Sequence, residues 1–240
     1  MRQTTSHNLW LVAPAALMVG IFFLYPLCFS LYSAVTLDEC GFTLIHLHKA
    51  FELYSKDMLF TVFIVLISVS ILAVLSISIA ALITLSPFRI LVGLLGFLYR
   101  LPLFIPFIVT AQMMNNAFIE AGLLTPMETV SFLGWTGIII TFVWKQMAFS
   151  TLLISGAMAA LDDSQIRAAR NLGASRFRIL FQIILPQITP SIGVAMVLST
   201  VTIMSVLSVP LMIGTGSPTM MTADMAFRIN SYGDYHVANA

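Results

Sequence analysis

The sequence predicts an all-α, polytopic membrane helix bundle with five spans in a single transmembrane domain over residues 1–240. Three observations carry that reading. Hydrophobic residues make up 59% of the 240 and charged ones 9%, whereas a soluble domain carries roughly 25% charged residues. Charge-free stretches run over Gln3–Leu37, Met58–Phe88, Leu101–Ile119 and Ile179–Ala223, and Ser131–Leu161 is interrupted only by Lys145. A membrane-spanning helix needs about 20 mainly apolar residues, and each stretch approaches or exceeds that length. The segments between them alternate in charge. Twenty-one charged side chains cannot solvate a globule of this size, which argues against a soluble enzyme, and a net charge of +1 gives no surface for nucleic acid.

The expected spans are 9–35, 58–85, 101–119, 134–160 and 187–212. The first is too long for the core of a signal peptide and reads as a retained helix, with Pro14 and Pro26 compensated by neighbouring helices. Cys28 lies within it and Cys40 beyond it. Twelve helical residues between them would span about 18 Å, too far for a disulfide. Before the third span, Leu91 to Tyr99 is apolar but too short to cross, and reads as an interfacial segment or an extension of that helix, with Arg100 reaching the headgroups.

Orientation follows from the loops. Residues 36–57 have net charge −2, 86–100 contain Arg89 and Arg100 with no acid, 120–133 contain Glu120 and Glu128 with no base, and 161–186 have net charge +2. Placing the N-terminus, 86–100 and 161–186 in the cytoplasm puts seven of the eleven basic residues there, as the enrichment of Lys and Arg in cytoplasmic loops requires. Residues 213–240 then lie outside.

The segment 161–186 is more than a connection. Asp162, Asp163 and Ser164 supply caps for a helix over Gln165–Leu172, Gly173 supplies a left-handed stop, and Ser175 caps a second helix over Arg176–Ile184. Phe177, Leu180, Phe181 and Ile184 fall at i, i+3, i+4 and i+7, an apolar stripe expected to pack under the bundle. Pro186 is expected to close the segment before the fifth span. On amphipathicity alone, an interfacial helix with arginines at the headgroups explains the pattern as well.

The spacing here resembles the cytoplasmic signature of permease subunits in type I, binding-protein-dependent ATP-binding-cassette importers: Glu-Ala-Ala, three residues, Gly, nine residues, Ile-x-Leu-Pro. This chain has Arg167-Ala168-Ala169, three residues, Gly173, nine residues, then Ile183-Ile184-Leu185-Pro186, with Arg167 where the family has Glu. Ala13-Pro14, Tyr25-Pro26 and Trp144-Lys145 with Phe149 also look like the family. The resemblance implies that 161–186 holds a coupling helix, with Arg167, Ala168, Ala169, Gly173, Ala174, Ile183, Leu185 and Pro186 engaging an ATPase subunit. It implies a second permease, same or sister, two ATPase subunits that hold ATP and Mg, and an extracytoplasmic solute-binding protein, all at a bacterial inner membrane. This chain would bind no cofactor and hydrolyse no ATP; it contains no GxxxxGK[ST] phosphate loop. Six helices form the family core, so a sixth is expected beyond Ala240. Asn171-Leu172-Gly173-Ala174-Ser175 looks closer to the polyamine, iron, thiamine and phosphonate group than to the sugar group, so the solute leans to polyamine, with sugars as the alternative.

Within the spans, Lys145 is the only formal charge: a pathway residue, or one that pairs with backbone carbonyls. Gln112, Asn115 and Asn116 share a helix face and either line a path or bond across helices. Ser199, Thr202 and Ser205 form a polar line in the fifth span, read first as helix glue, with Ser205 a candidate pathway residue. Pro210 and Gly214–Pro218 are expected to end that helix. His46 and His48 have no acid or cysteine at a ligand spacing, so no metal site is expected. A secondary transporter, or a membrane protein with no pathway, remains the alternative class.

Overall fold

A computed structural model of the chain describes residues 5–36, 41–122, 132–214 and 218–240. Twelve α-helices occur among them: α1 (Thr5–Val19), α2 (Tyr25–Ala34), α3 (Ile45–Leu85), α4 (Arg89–Leu98), α5 (Phe107–Glu120), α6 (Phe132–Ala159), α7 (Asp163–Asn171), α8 (Arg176–Ile179), α9 (Leu185–Ser205), α10 (Ser208–Ile213), α11 (Met221–Phe227) and α12 (Tyr235–Asn239). Four helical stretches are long and apolar enough to cross a membrane: Val12–Ala34, Ile45–Leu85, Gly134–Ala159 and Arg176–Ser205. Arg89–Phe104 with Phe107–Glu120 makes a fifth candidate, broken and bent by 107°.

Three expected spans are redrawn. The helix expected at 58–85 begins at Ile45, because His46 to Asp57 is polar but contains no helix breaker. At about 1.5 Å per residue its 41 residues reach roughly 62 Å, about twice the hydrocarbon thickness. The span expected at 101–119 is not continuous, nor is 91–99 its straight extension. α4 runs into a 3₁₀ turn, Leu101–Phe104, and Pro106, which has no N–H to donate, becomes the N-cap of α5. The span expected at 187–212 begins earlier and ends at Ser205; Pro210 lies inside the separate helix α10.

Pro186 does not close a helix either. α8 passes through a π-helical turn, Leu180–Ile184, into α9, and the Leu185 N–H donates to the Leu180 carbonyl. The first span does the same: Gly20–Leu24 is a π turn, the Tyr25 N–H donates to Gly20, and Pro26 follows. Each wide turn precedes a proline by one residue, so the helix passes the missing donor without ending.

The chain divides into two units, 57–223 and 1–56 with 224–240; α3 and α11 contribute to both. In the larger unit one core cluster joins Phe60, Ile64 and Val65 of α3 to Ala111 of α5, Ile138 and Phe142 of α6, Ile203 of α9 and Val209 of α10. α5 and α6 approach closely at Gly137, where a Cβ would sit 3.1 Å from the Phe118 ring. A second cluster joins Ala80, Ala81 and Leu85 to Ile154, Met158, Ile166, Ile179, Ile184 and Ile188. Between α6 and α9, Ser150 and Ser199 share a 2.8 Å hydrogen bond and Gln146 Nε2 donates to Ser199 Oγ at 3.3 Å, all three buried.

In the smaller unit, Ser30 Oγ donates to Asn239, and His236 meets Ser33 and stacks on His46 at 5.0 Å. Burial alone would raise the Asp234 carboxyl, but the Val237 N–H, Lys49 and Arg228 outweigh it and hold it below its ordinary range.

Interhelical hydrogen bonds of the Gln146–Ser150–Ser199 kind average about 0.6 kcal/mol in membrane proteins. Ser199→Val deletes both contacts and leaves the buried Gln146 amide to find another acceptor. Chemical unfolding in detergent should show a loss of about 1 kcal/mol, twice the single-bond average. No loss beyond error would mean the cluster contributes no stability.

Candidate functional site

Residues 162–186 fold as a capped knob. Asp162 is the N-cap of α7: its carboxylate accepts from the Ser164 N–H at 2.8 Å and from the Ser164 hydroxyl at 2.6 Å. Those two bonds hold the Asp162 carboxyl below the usual carboxylate range, with a smaller contribution from Arg167. At the other end Gly173 has φ +79°, its N–H donates to Arg170, and the Ala174 N–H donates to Ala169. This pair of bonds is a Schellman ending, which needs a left-handed residue at the position of Gly173. Ser175 Oγ then accepts from the Arg178 N–H at 3.3 Å and starts α8. Helix, glycine and second cap follow the sequence expectation; the one shift is that Asp162 makes the first cap and Ser164 is its partner.

Ile166 and Ile179 anchor the knob in the second core cluster. Arg167, Ala168, Gly173 and Pro186 are exposed, while Ala169, Ala174, Ile183 and Leu185 are half-buried. Leu172 is 88% exposed. The stripe expected to pack under the bundle does not do so as a unit. Ile184 is buried, Leu180 half-buried, and Phe177 and Phe181 are 75% and 63% exposed. The π turn rotates the phase, so Ile179 takes the inward place that a regular helix would give Phe177. Phe177 and Leu180 instead line a cavity of about 480 Å³ with Leu82, Leu85, Phe88 and Arg176.

The polar residues within the spans separate into distinct groups. Lys145 Nζ donates to the carbonyls of Pro102 and Ile105 and lies 5.2 Å from the Phe107 ring centroid. It also lines a cavity of about 170 Å³ with Leu103, Phe107, Gln146, Phe149 and Thr202. Gln112 Nε2 donates to Asn116 Oδ1 at 2.9 Å on the exposed side of α5, one turn along the same helix; Asn115 is half-buried. Neither Gln112, Asn115 nor Asn116 lines that cavity. Ser205 is exposed and folds its hydroxyl back onto the Val201 carbonyl at 2.7 Å. Of the line Ser199, Thr202 and Ser205, the first bonds across to α6, and the other two donate back to their own helix, with Thr202 also on the cavity wall.

Residues 56–239 match the family described as binding-protein-dependent transport system inner membrane component. The chain belongs to that family. Among curated relatives, the sulfoquinovosyl glycerol transport system permease protein SmoG of Agrobacterium fabrum is 28% identical, over 92% of this chain and 78% of its own length. The trehalose/maltose transport system permease protein MalF of Thermococcus litoralis is 28% identical, over 62% of this chain and 55% of its own. A probable ABC transporter permease, y4fN of Sinorhizobium fredii, is 33% identical over 42% of this chain, a match that spans 17% of that relative. The fold is shared with a bacterial ABC transporter involved in the import of the acidic polysaccharide alginate, at TM-score 0.73, 18% identity and coverage of 96% of this chain and 87% of the other.

The solutes in these relatives' names are carbohydrates, which gives the lean to polyamine no support. The reason is physical. The residues behind that lean, Asn171 to Ser175, end an exposed surface helix that contributes nothing to the membrane cavity. The cavity-lining residues not identified from sequence, Gln146, Phe107 and Leu103, had one available signal: Gln146 lies one residue after the intramembrane charge.

Because Asp162 is depressed when folded, its contribution to α7 is present above its unfolded pKa and lost as pH falls through the folded one. Asp162→Ala should speed hydrogen exchange of the Ser164 and Gln165 amides at pH 7. Near pH 3 the gap between variant and parent should narrow. An equal gap at both pH values would remove the carboxylate from the cap.

Proposed function

We propose that this inner membrane component is the translocating permease of an ATP-driven importer of a sugar or sugar derivative. The observation that carries the reading is the knob at 162–186: a short helix fixed at both ends, anchored by Ile166 and Ile179, and exposed along Arg167, Ala168 and Leu172. Such a body can pass a rigid displacement between a soluble motor and a membrane bundle, which a flexible loop cannot. Arg167, Ala168, Ala169, Gly173 and Ala174 form or support its docking face, and Ile183, Leu185 and Pro186 lead it into α9. Arg167 in place of the family's Glu gives that face a cation to offer an acidic rim.

The partners are two ATPase subunits, which hold ATP and Mg, a second permease chain and an external binding protein. The charge of the basic loops favours a cytoplasmic side for the N-terminus and the knob. A carbohydrate fits the cavity at Lys145 better than a polyamine. Phe107 and Phe149 offer apolar faces, Gln146 and Thr202 offer hydrogen bonds, and Lys145 would repel a polycation. The names of the relatives point the same way.

The knob is tested at Gly173. A Cβ there meets nothing within 4 Å, so the obstacle to substitution is the backbone angle and not space. A side chain in the left-handed region costs about 1–2 kcal/mol, less for Asn. In the assembled transporter, Gly173→Val should retain basal ATP hydrolysis and lose most solute uptake, with Gly173→Asn intermediate. Uptake at the parental rate in Gly173→Val would defeat the coupling assignment. The solute class is tested separately: binding protein loaded with a sugar should stimulate the ATPase several-fold, and a polyamine should not.

A further inference from the structure

Lys145 is the one charge within a predicted span, and its surroundings are specific. α4 and the 3₁₀ turn Leu101–Phe104 end against Pro106, which cannot continue the hydrogen-bond ladder. Helix ends leave carbonyls without intrahelical partners and carry a partial negative charge. In an apolar surround no water satisfies those carbonyls, so protein must. From the opposite helix α6, Lys145 Nζ donates to Ile105 O at the break and to Pro102 O, which also accepts the Ile105 N–H at 3.4 Å. These flank the break, and the same ammonium lies over the ring of Phe107, the first residue of α5. One side chain therefore contacts the end of one half, the joint and the start of the other. The two halves meet at 107°.

We propose that Lys145 is a positioning residue that pins the broken helix pair: its ammonium fixes the angle between α4 and α5, and it is not a ligand for the solute. An ammonium suits this place because it has several donors, accepts nothing and neutralises the negative helix end. Two of its donors are committed to backbone, and Lys145 lines the cavity together with Phe107 and Phe149. Gln146 and Thr202 are left as the wall's hydrogen-bonding groups. The transport part of this inference rests on the sugar-permease reading; the structural part does not.

The experiment uses the full transporter reconstituted with its partners. Spin labels at Gly93 of α4 and Met113 of α5, where Gly93 has open space and Met113 is exposed, report the distance between the halves. Lys145→Met should broaden that distance distribution and lower the maximal uptake rate about tenfold, with KM for the sugar within twofold of the parent. Lys145→Arg, which keeps the charge and two donors, should restore a narrow distribution and most of the rate. A several-fold rise in KM with an unchanged distance would make Lys145 a solute ligand and overturn the proposal. So would a narrow, parental distribution in Lys145→Met. If Lys145→Met does not assemble, Lys145→Arg decides: a narrow distance with near-parental uptake supports the pin, and a broadened one sinks it. Should the parent take up no sugar at all, the sugar reading fails while the distance measurement still judges the pin.

Discussion

Everything in this chain follows from one constraint: a backbone that runs through hydrocarbon must satisfy its own polar groups. With 59% hydrophobic residues, side chains to help are few. The regular helices meet the constraint by themselves, so the informative places are where a helix cannot be regular. Before Pro26 and Pro186 the answer is a wider turn that carries the helix past the missing N–H. At Pro106 the ladder stops, and a cation from α6 takes the Ile105 carbonyl and shares that of Pro102 with the Ile105 N–H. At Gly173 the helix ends in the left-handed region and closes two carbonyls onto Gly173 and Ala174. Serine and threonine hydroxyls elsewhere bond back onto their own helices, as Thr141, Ser70 and Ser205 do. Hydroxyls so used, Thr202 among them, keep only their lone pairs to offer a solute.

Sequence periodicity served where those irregularities were absent and failed where they occurred. Residues 134–160 and 9–35 were placed within a few residues, since long apolar runs admit little besides a helix. The knob was legible because its signals are chemical: an acid–serine cap, a glycine stop and a second serine cap can be read without knowing the packing. The break at Ile105–Pro106 was not, because one proline in an apolar run is compatible with a kink, a π turn or a full stop. What decides among them is whether another helix can supply donors, and that depends on Lys145, forty residues further on. The stripe of Phe177, Leu180, Phe181 and Ile184 failed for a related reason. It assumes 3.6 residues per turn through Leu180–Ile184, which is a π turn, so Ile184 keeps the inward place but the inward residue one turn before it is Ile179. The lean to polyamine rests on a surface helix end, and the carbohydrate names of the relatives give it no support.

The same irregularity that defeated the periodicity argument provides a mechanical connection. Had Pro186 ended a helix, the knob would have been hinged to the fifth span by a flexible joint. Instead Arg176–Ser205 is one helical stretch, about 45 Å long at 1.5 Å per residue. Its first turns are anchored with Ile166 of the knob through Ile179 and Ile184. Near its far end are Ser199, bonded to Gln146 and Ser150, and Thr202 on the cavity wall. Gln146 and Lys145 are neighbours on α6, and Lys145 holds the joint of the broken pair. Under the proposed coupling, a displacement at the knob would meet packed side chains and hydrogen bonds down α9, across Ser199 to α6, and through Lys145 to the base of α5. On that reading, softening any of these links reduces the rate of transport without changing the affinity for solute. That separation of rate from affinity distinguishes a machine part from a binding group, and it is the test of whether Lys145 acts through the carbonyls of Pro102 and Ile105 that its ammonium holds or through the cavity that it lines.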